Sequence, residues 1–233
     1  MTLESLPARW ASAGWRQGKT MNIIVIGASG MVGSRVVREL VSRGHTVTAV
    51  ARDPSKIPAE PHVCAVKGDV NDAAALAETL RGSDAVVNAY GPGRRQEQLV
   101  IPAALAVLAA AKQAGVKRVI IVGGAASLLI APGKTLLDSG RLPKEWLAIA
   151  KAHSDLLQLL LTTNLGAGLD WTYFSPAGLI QPGQRTGKFR VGKDELIVDE
   201  QGQSCISAED YAVALVDELE QPHHVRERFT VGY

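Results

Sequence analysis

Three glycines, Gly27, Gly30 and Gly33, recur at intervals of three in the stretch VIGASGMVG, between a short apolar run and a helix-like pattern. A dinucleotide pyrophosphate needs backbone N–H donors at a helix N-terminus and no side chains in its way. Gly27 suits a tight turn out of the strand, Gly30 a close approach by the ligand, and Gly33 close packing of helix on strand. Ser29 adds a hydroxyl within reach of phosphate. The pattern is GxxGxxG rather than GxGxxG, and its place between the first strand and the first helix is what makes it a nucleotide site.

Three further stretches supply matching chemistry. In VARDPSK, Arg52 stands at a strand end where a carboxylate would accept from a ribose 2′-hydroxyl; a guanidinium there suits a 2′-phosphate instead. Lys56 follows one turn later, and Asp53 serves as the cap of the turn containing Pro54. NADP(H) is therefore the expected cofactor. In KGDVND, Asp69 can accept from an adenine amino group while Val70 packs on the ring, and Asn71 or Asp72 begins the next helix. In NAYGPG the small residues let the backbone pass beside the adenosine and inner ribose.

The elements that must position these residues read as an alternation. Strands are expected at Asn22–Ile26, Thr46–Ala51, His62–Val66, Ala85–Ala89, Arg118–Val122, Trp171–Ser175 and Phe229–Gly232. Helices are expected at Val32–Ser42, Ala73–Leu80, Glu97–Ala114, Lys144–Thr162 and Ala208–Glu220. In the first helix Val32, Val36, Val37, Leu40 and Val41 share a face, and Gly44 supplies the stop. Before the last helix, Ser207 can cap, with Asp210 favouring the positive terminus. Such alternation predicts an α/β fold: a Rossmann-like, doubly wound parallel sheet with helices on both faces. Residues 1–20 read as a flexible extension and 21–233 as one domain, with a small C-terminal substrate lobe near 176–206.

Composition bounds the partners. The 233 residues are 46% hydrophobic and 21% charged with net charge +2, which suggests neither a nucleic-acid surface nor a polybasic membrane patch. No apolar run approaches the roughly 18 residues of a spanning helix. The two cysteines, Cys64 and Cys205, are far apart and show no CxxC spacing, so a reduced, cytoplasmic protein without a metal site is expected.

Together GASGMVG, VARDPSK, KGDVND, VIIVGGAASL, LDWTYFSPAGLIQPGQRTG and SCISAEDYAVALVDELE resemble the atypical short-chain dehydrogenase/reductase superfamily, in its NmrA-like and NADPH-dependent flavin-reductase-like branch. The resemblance runs from Met21 to Tyr233. It implies that Gly27, Ser29, Gly30, Met31, Val32, Arg52, Asp69, Ala89, Tyr90 and Gly91 contact the cofactor. It further places Val122, Gly123 and Gly124 by the nicotinamide ribose, and Pro176 and Ala177 by the nicotinamide.

One feature of that superfamily is missing. Its standard members use Tyr-x-x-x-Lys, where the lysine lowers the phenol pKa; here Tyr90, Tyr173, Tyr211 and Tyr233 are followed four residues on by Arg94, Ala177, Leu215 and no residue. Ser127 stands where the superfamily keeps its catalytic serine. Lys151 and His153 are further candidates on a helix, two residues apart and so on different faces. Arg185 is suited either to an anionic substrate or to clamping its own loop. Trp171 and Phe174 are assigned to packing on opposite faces of a strand, and His223 and His224 to a solvated loop. The expected activity is hydride transfer from NADPH to a small-molecule electron acceptor such as a flavin or quinone, by a monomer or homodimer; the alternative is a catalytically silent NADP(H) sensor.

Overall fold

In the computed structural model, which describes residues 20–93 and 95–233, the first strand divides its side chains between two cores. This strand, β1 (Asn22–Ile26), sends Ile23 and Val25 to one face and Ile24 and Ile26 to the other, as the two-residue period of a strand requires. A turn leads into α1 (Met31–Ser42), and β2 (Thr46–Ala51) returns parallel to β1. The chain continues through β3 (Val63–Lys67), α2 (Ala73–Leu80), β4 (Ala85–Asn88), α3 (Val100–Ala114) and β5 (Arg118–Val122). A short hairpin of β6 (Leu129–Ala131) and β7 (Lys134–Thr135) precedes α4 (Lys144–Thr162) and β8 (Asp170–Ser175). Then come β9 (Leu179–Gln181), β10 (Arg190–Gly192), β11 (Cys205–Ser207), α5 (Ala208–Glu220) and β12 (Glu227–Gly232).

The main sheet has the order β10-β12-β8-β5-β4-β1-β2-β3, parallel throughout except for β10. Strand order reverses between β1 and β4, so the ligand crevice belongs beyond their carboxyl ends. Helices α1 and α5 cover one face through Val36, Leu40, Tyr211 and Leu215. Helices α2, α3 and α4 cover the other through Leu80, Val107, Leu108, Leu156 and Leu160. Phe174 joins the first core, stacked between Tyr211 and Phe229 at 4.0 Å from each, and Trp171 joins the second. This is the Rossmann-like α/β architecture that the alternation predicts.

The boundaries that moved have local causes. His62 takes φ of 65°, outside the strand region, so β3 begins at Val63. The helix expected from Glu97 divides into a 3-10 turn at Glu97–Leu99 and α3 from Val100. Pro102 has no N–H to donate to the carbonyl of residue 98, but it is tolerated within the first turn of a helix that starts at Val100. β4 ends at Asn88, whose side chain accepts from Tyr90 N at 3.2 Å. The extension expected over 1–20 lies, apart from Thr20, outside the described residues, as does Arg94.

Residues 176–206 depart from the run of parallel crossovers. β9 pairs with β11 as a separate ribbon, and β10 adds an antiparallel edge beside β12. Two anchors hold this excursion down. Ser207 caps α5 by accepting from Asp210 N at 2.9 Å, and the fully buried Asp210 accepts from the N–H groups of Thr186 and Gly187, each at 2.8 Å, and from the Tyr233 hydroxyl. Arg185 makes two bonds to the buried Glu39 of α1, at 2.7 and 2.8 Å, so it clamps its loop and does not wait for a substrate anion. His224 likewise is engaged: it stacks on Phe229 at 4.4 Å and its Nδ1 lies 2.8 Å from Glu218.

Candidate functional site

The turn from β1 to α1 is tight and rich in glycine. Gly27 adopts φ of 77°, and a Cβ there would lie 2.5 Å from the Ala89 carbonyl oxygen. A Cβ on Gly33 would lie 2.2 Å from Gly27 O, so helix and strand meet closely only with glycine. Gly30 is less constrained: its φ of −78° suits any residue, a Cβ there would stand 3.2 Å from Gly27 O, and the residue lines the cleft. Gly27 N and Ala28 N both donate to Val50 O, and the helix ladder begins with Ser34 N donating to Gly30 O. The N–H groups of Met31, Val32 and Gly33 therefore have no intrahelical partner, and no acidic residue stands in that first turn.

A cleft of about 590 Å³ runs from this turn across the carboxyl ends of the strands. It brings together Gly27, Ser29, Gly30, Met31, Val32, Arg52, Asp69, Val70, Ala89, Tyr90, Gly91, Val122, Gly123 and His153. Arg52 is exposed and makes no hydrogen bond or ion pair to another described residue, which leaves its guanidinium available to a ligand. Asp69 accepts from Asn71 N at 2.9 Å and Asn71 Nδ2 at 2.8 Å, both on Oδ1, while Asp72 caps α2 by accepting from Ala75 N at 3.1 Å. Sequence reasoning missed Ile26, Val50, Ala51, Gly68, Asn71, Leu76, Gln96 and Leu99, which also line the cleft. Gly68 carried a signal, since a Cβ there would lie 2.6 Å from Val50 Cγ1.

Seven expected residues stand apart from the cleft wall. Gly33 packs on the turn. Lys56, largely exposed, lies 3.8 Å from Asp53, whose carboxyl is held below its usual range chiefly by the Ser55 hydroxyl. Gly124 packs on His153, with space for a Cβ only 2.9 Å from the His153 Cβ. Ala177 is buried in the α1–α5 core and the Pro176 carbonyl accepts from Thr230 Oγ1 at 3.4 Å, because β8 continues straight into the excursion. Ser127 is buried and its Oγ accepts from Arg228 at 3.3 Å; Arg228 in turn binds Asp194 at 2.6 Å. Lys151 is exposed and paired with Asp155 at 2.8 Å, one turn along the same helix face. Leu147, four residues before Lys151, is not a tyrosine.

Two of the four tyrosines are held within the fold. Tyr173 is fully buried, donates to His153 O at 2.8 Å and accepts from Gly124 N at 3.2 Å; burial raises its pKa. Tyr211 donates to Phe174 O at 2.6 Å and is also pushed up by burial. Both hold the fold around the cleft. Tyr90 alone among the four lines the cleft, and no lysine stands four residues after it. His153 sits at the end nearest Val122 and Gly123, and burial lowers its pKa to about 4, so it is neutral at physiological pH.

A Gly-bearing β1–α1 turn at the switch point of a parallel sheet, with free N–H groups facing a long cleft, defines a nicotinamide-dinucleotide-binding Rossmann protein. The chain belongs to the NAD(P)H-binding family, whose model matches residues 27–222. It is 42% identical to the uncharacterized protein YwnB of Bacillus subtilis (strain 168) over 91% of this chain and 98% of that one. Among solved structures it is similar to an epimerase, so named provisionally, from Bacteroides thetaiotaomicron, with 46% identity, TM-score 0.86, and 92% and 98% of the two chains covered. It is also similar to a provisionally named NADH-flavin reductase from Streptococcus pneumoniae TIGR4, with 36% identity, TM-score 0.78, and 91% and 99% covered. A Burkholderia pseudomallei protein provisionally called exported shares 48% identity at TM-score 0.83, covering 92% and 100%. Among the described residues no helix is long and apolar enough to cross a membrane, and no cluster of metal-ligating side chains occurs.

Proposed function

We propose that this protein is an NADPH-dependent reductase that passes hydride to a flavin, quinone or similar conjugated small molecule, within the NmrA-like and flavin-reductase-like branch. The observations that carry this reading are an arginine following β2 in the cleft wall with no partner among the described residues, and a sequence without the tyrosine–lysine pair. A bound reduced nicotinamide would supply the hydride. The first turn of α1 would hold the pyrophosphate on its N–H groups and Arg52 the 2′-phosphate. Val50, Val70 and Leu76 offer apolar surface to the adenine. Val122 and Gly123 give the reacting end an uncharged wall.

A conjugated acceptor suits that wall. It spreads the charge it receives over a ring, and water can deliver the proton, so a dedicated phenol is dispensable. A simple ketone concentrates charge on one oxygen and needs the absent acid. The similarity to a protein named as an NADH-flavin reductase supports the same reading. Cytoplasmic placement, as a monomer or homodimer without nucleic-acid or membrane partners, is part of the proposal; the free thiols of Cys64 and Cys205 fit a reducing compartment. The test is NADPH oxidation by purified protein against flavins, quinones, aldehydes, ketones and sugars. Turnover confined to flavins or quinones supports the proposal. Efficient ketone reduction contradicts it, and tight NADPH binding with no turnover favours a sensor.

A further inference from the structure

His153 has an unusual environment for a histidine that lines a cofactor cleft. Its Nδ1 is sealed from solvent and has no hydrogen-bond partner among the described residues. Its Nε2 is not sealed in this way, and the residue forms part of the cleft wall beside Val122 and Gly123. The backbone on either side fixes this placement: the buried Tyr173 hydroxyl donates to His153 O at 2.8 Å, and Gly124 packs against the ring and Cβ. The ring therefore cannot easily swing to expose Nδ1.

The two neutral tautomers differ in what they bury. With the proton on Nδ1, an N–H donor would be orphaned in the interior; with the proton on Nε2, only a lone pair is orphaned. Buried N–H groups without partners are the rarer and costlier case. A proton on both nitrogens would leave a charged donor sealed with no acceptor, and the carboxylates of α4 and of the segments packed on it are exposed or engaged elsewhere. Glu145 is exposed two turns earlier, Asp155 is held by Lys151, Glu97 accepts from Arg95 N at 3.1 Å, Asp138 accepts from Thr135 Oγ1 at 2.6 Å, and Asp170 lies at the far end of β8 with Arg226 at 3.5 Å.

We infer that His153 is locked as the neutral Nε2–H tautomer and donates one hydrogen bond into the reacting end of the cleft, orienting a carbonyl or ring-nitrogen acceptor without exchanging a proton. This makes it a specificity-determining donor and rules out the proton-shuttle role that its residue type suggests. The identity of the bonded group rests on the reductase reading; the tautomer does not.

The experiment uses full-length protein in two arms. Nitrogen-15 NMR of histidine-labelled protein should show a pyridine-type Nδ1 and a pyrrole-type Nε2, unchanged between about pH 8 and about pH 5. A protonated Nδ1, or titration within that range, overturns the inference. In the second arm, His153→Ala should raise KM for a quinone or flavin about three- to tenfold, with kcat and its pH profile little changed. His153→Gln, which keeps an amide donor near the Nε2 position, should restore most of that loss, and melting curves of both variants separate it from unfolding. Equal kinetics for His153→Ala and the parent, or a pH profile that changes shape on substitution, defeats the donor role. Absence of turnover with every acceptor defeats the reductase reading and the donor role with it, while the NMR arm still decides the tautomer.

Discussion

Replacing Arg52 by alanine probes cofactor choice without disturbing the fold, since this side chain is exposed and bonded to no other described residue. A hydrogen bond to a charged group contributes about 1.5–3 kcal/mol. Solvent exposure and salt screening place Arg52 at the low end, about 1.5 kcal/mol, or about tenfold in Kd. Lys56 adds little, because it stands largely in solvent at 3.8 Å from Asp53. Asp53 subtracts little, because its carboxylate is turned onto Ser55 N at 3.2 Å and Ser55 Oγ at 2.6 Å. Calorimetric titration should show NADPH binding weakened about tenfold in Arg52→Ala and NADH binding changed by less than about twofold. The parent should lose NADPH affinity with added salt more steeply than the variant. Equal parent affinity for the two cofactors, or an equal loss for both on substitution, would refute the assignment of Arg52 to the 2′-phosphate.

Gly30→Val should abolish stabilisation by NADPH in thermal melts while lowering the apo melt only modestly, since its backbone angles suit valine and its Cβ would stand 3.2 Å from Gly27 O. Gly33→Ala should do the reverse and lower the apo melt, by about 1–3 kcal/mol or more, because its Cβ would meet Gly27 O at 2.2 Å. His153 has a folded pKa of about 4 against 6.5 for an unperturbed ring, so the unfolded chain takes up a proton that the native one refuses. Its contribution is full above about pH 6.5 and falls as pH drops towards about 4, by up to about 3 kcal/mol; urea titrations across that range should show a slope that His153→Gln removes.

The parts legible in the sequence were those with a period or a backbone demand. Alternating strands and helices gave the sheet order its logic, and Gly27 and Gly33 each meet a different steric demand that residue type alone announces. The cleft residues on the first four strand ends, from Ser29 to Gly91, follow from the same topology. What could not be read depended on partners distant in sequence. Ser127 is claimed by Arg228, 101 residues away, and Arg185 by Glu39, 146 residues away. Lys151 was decided by the helix face it shares with Asp155, and Leu76, Gln96 and Leu99 entered the cleft by packing alone. Pro176 and Ala177, expected from family likeness at the nicotinamide, are both buried, Ala177 in the α1–α5 core and the Pro176 carbonyl against Thr230 Oγ1. The short strands β9, β10 and β11 are too brief to carry a period.

The central claim is that the cleft holding the cofactor at the α1 terminus is where a conjugated acceptor is reduced. Oxygen-free, single-turnover oxidation of NADPH by a quinone tests it most directly, with parent and Gly30→Val protein compared at equal concentrations. Rapid loss of the reduced-nicotinamide absorbance with the parent, a primary isotope effect with NADPH deuterated at the transferred position, and no reaction with Gly30→Val are the predicted results. An unreactive parent that binds NADPH, or a Gly30→Val protein as fast as the parent, would contradict the account.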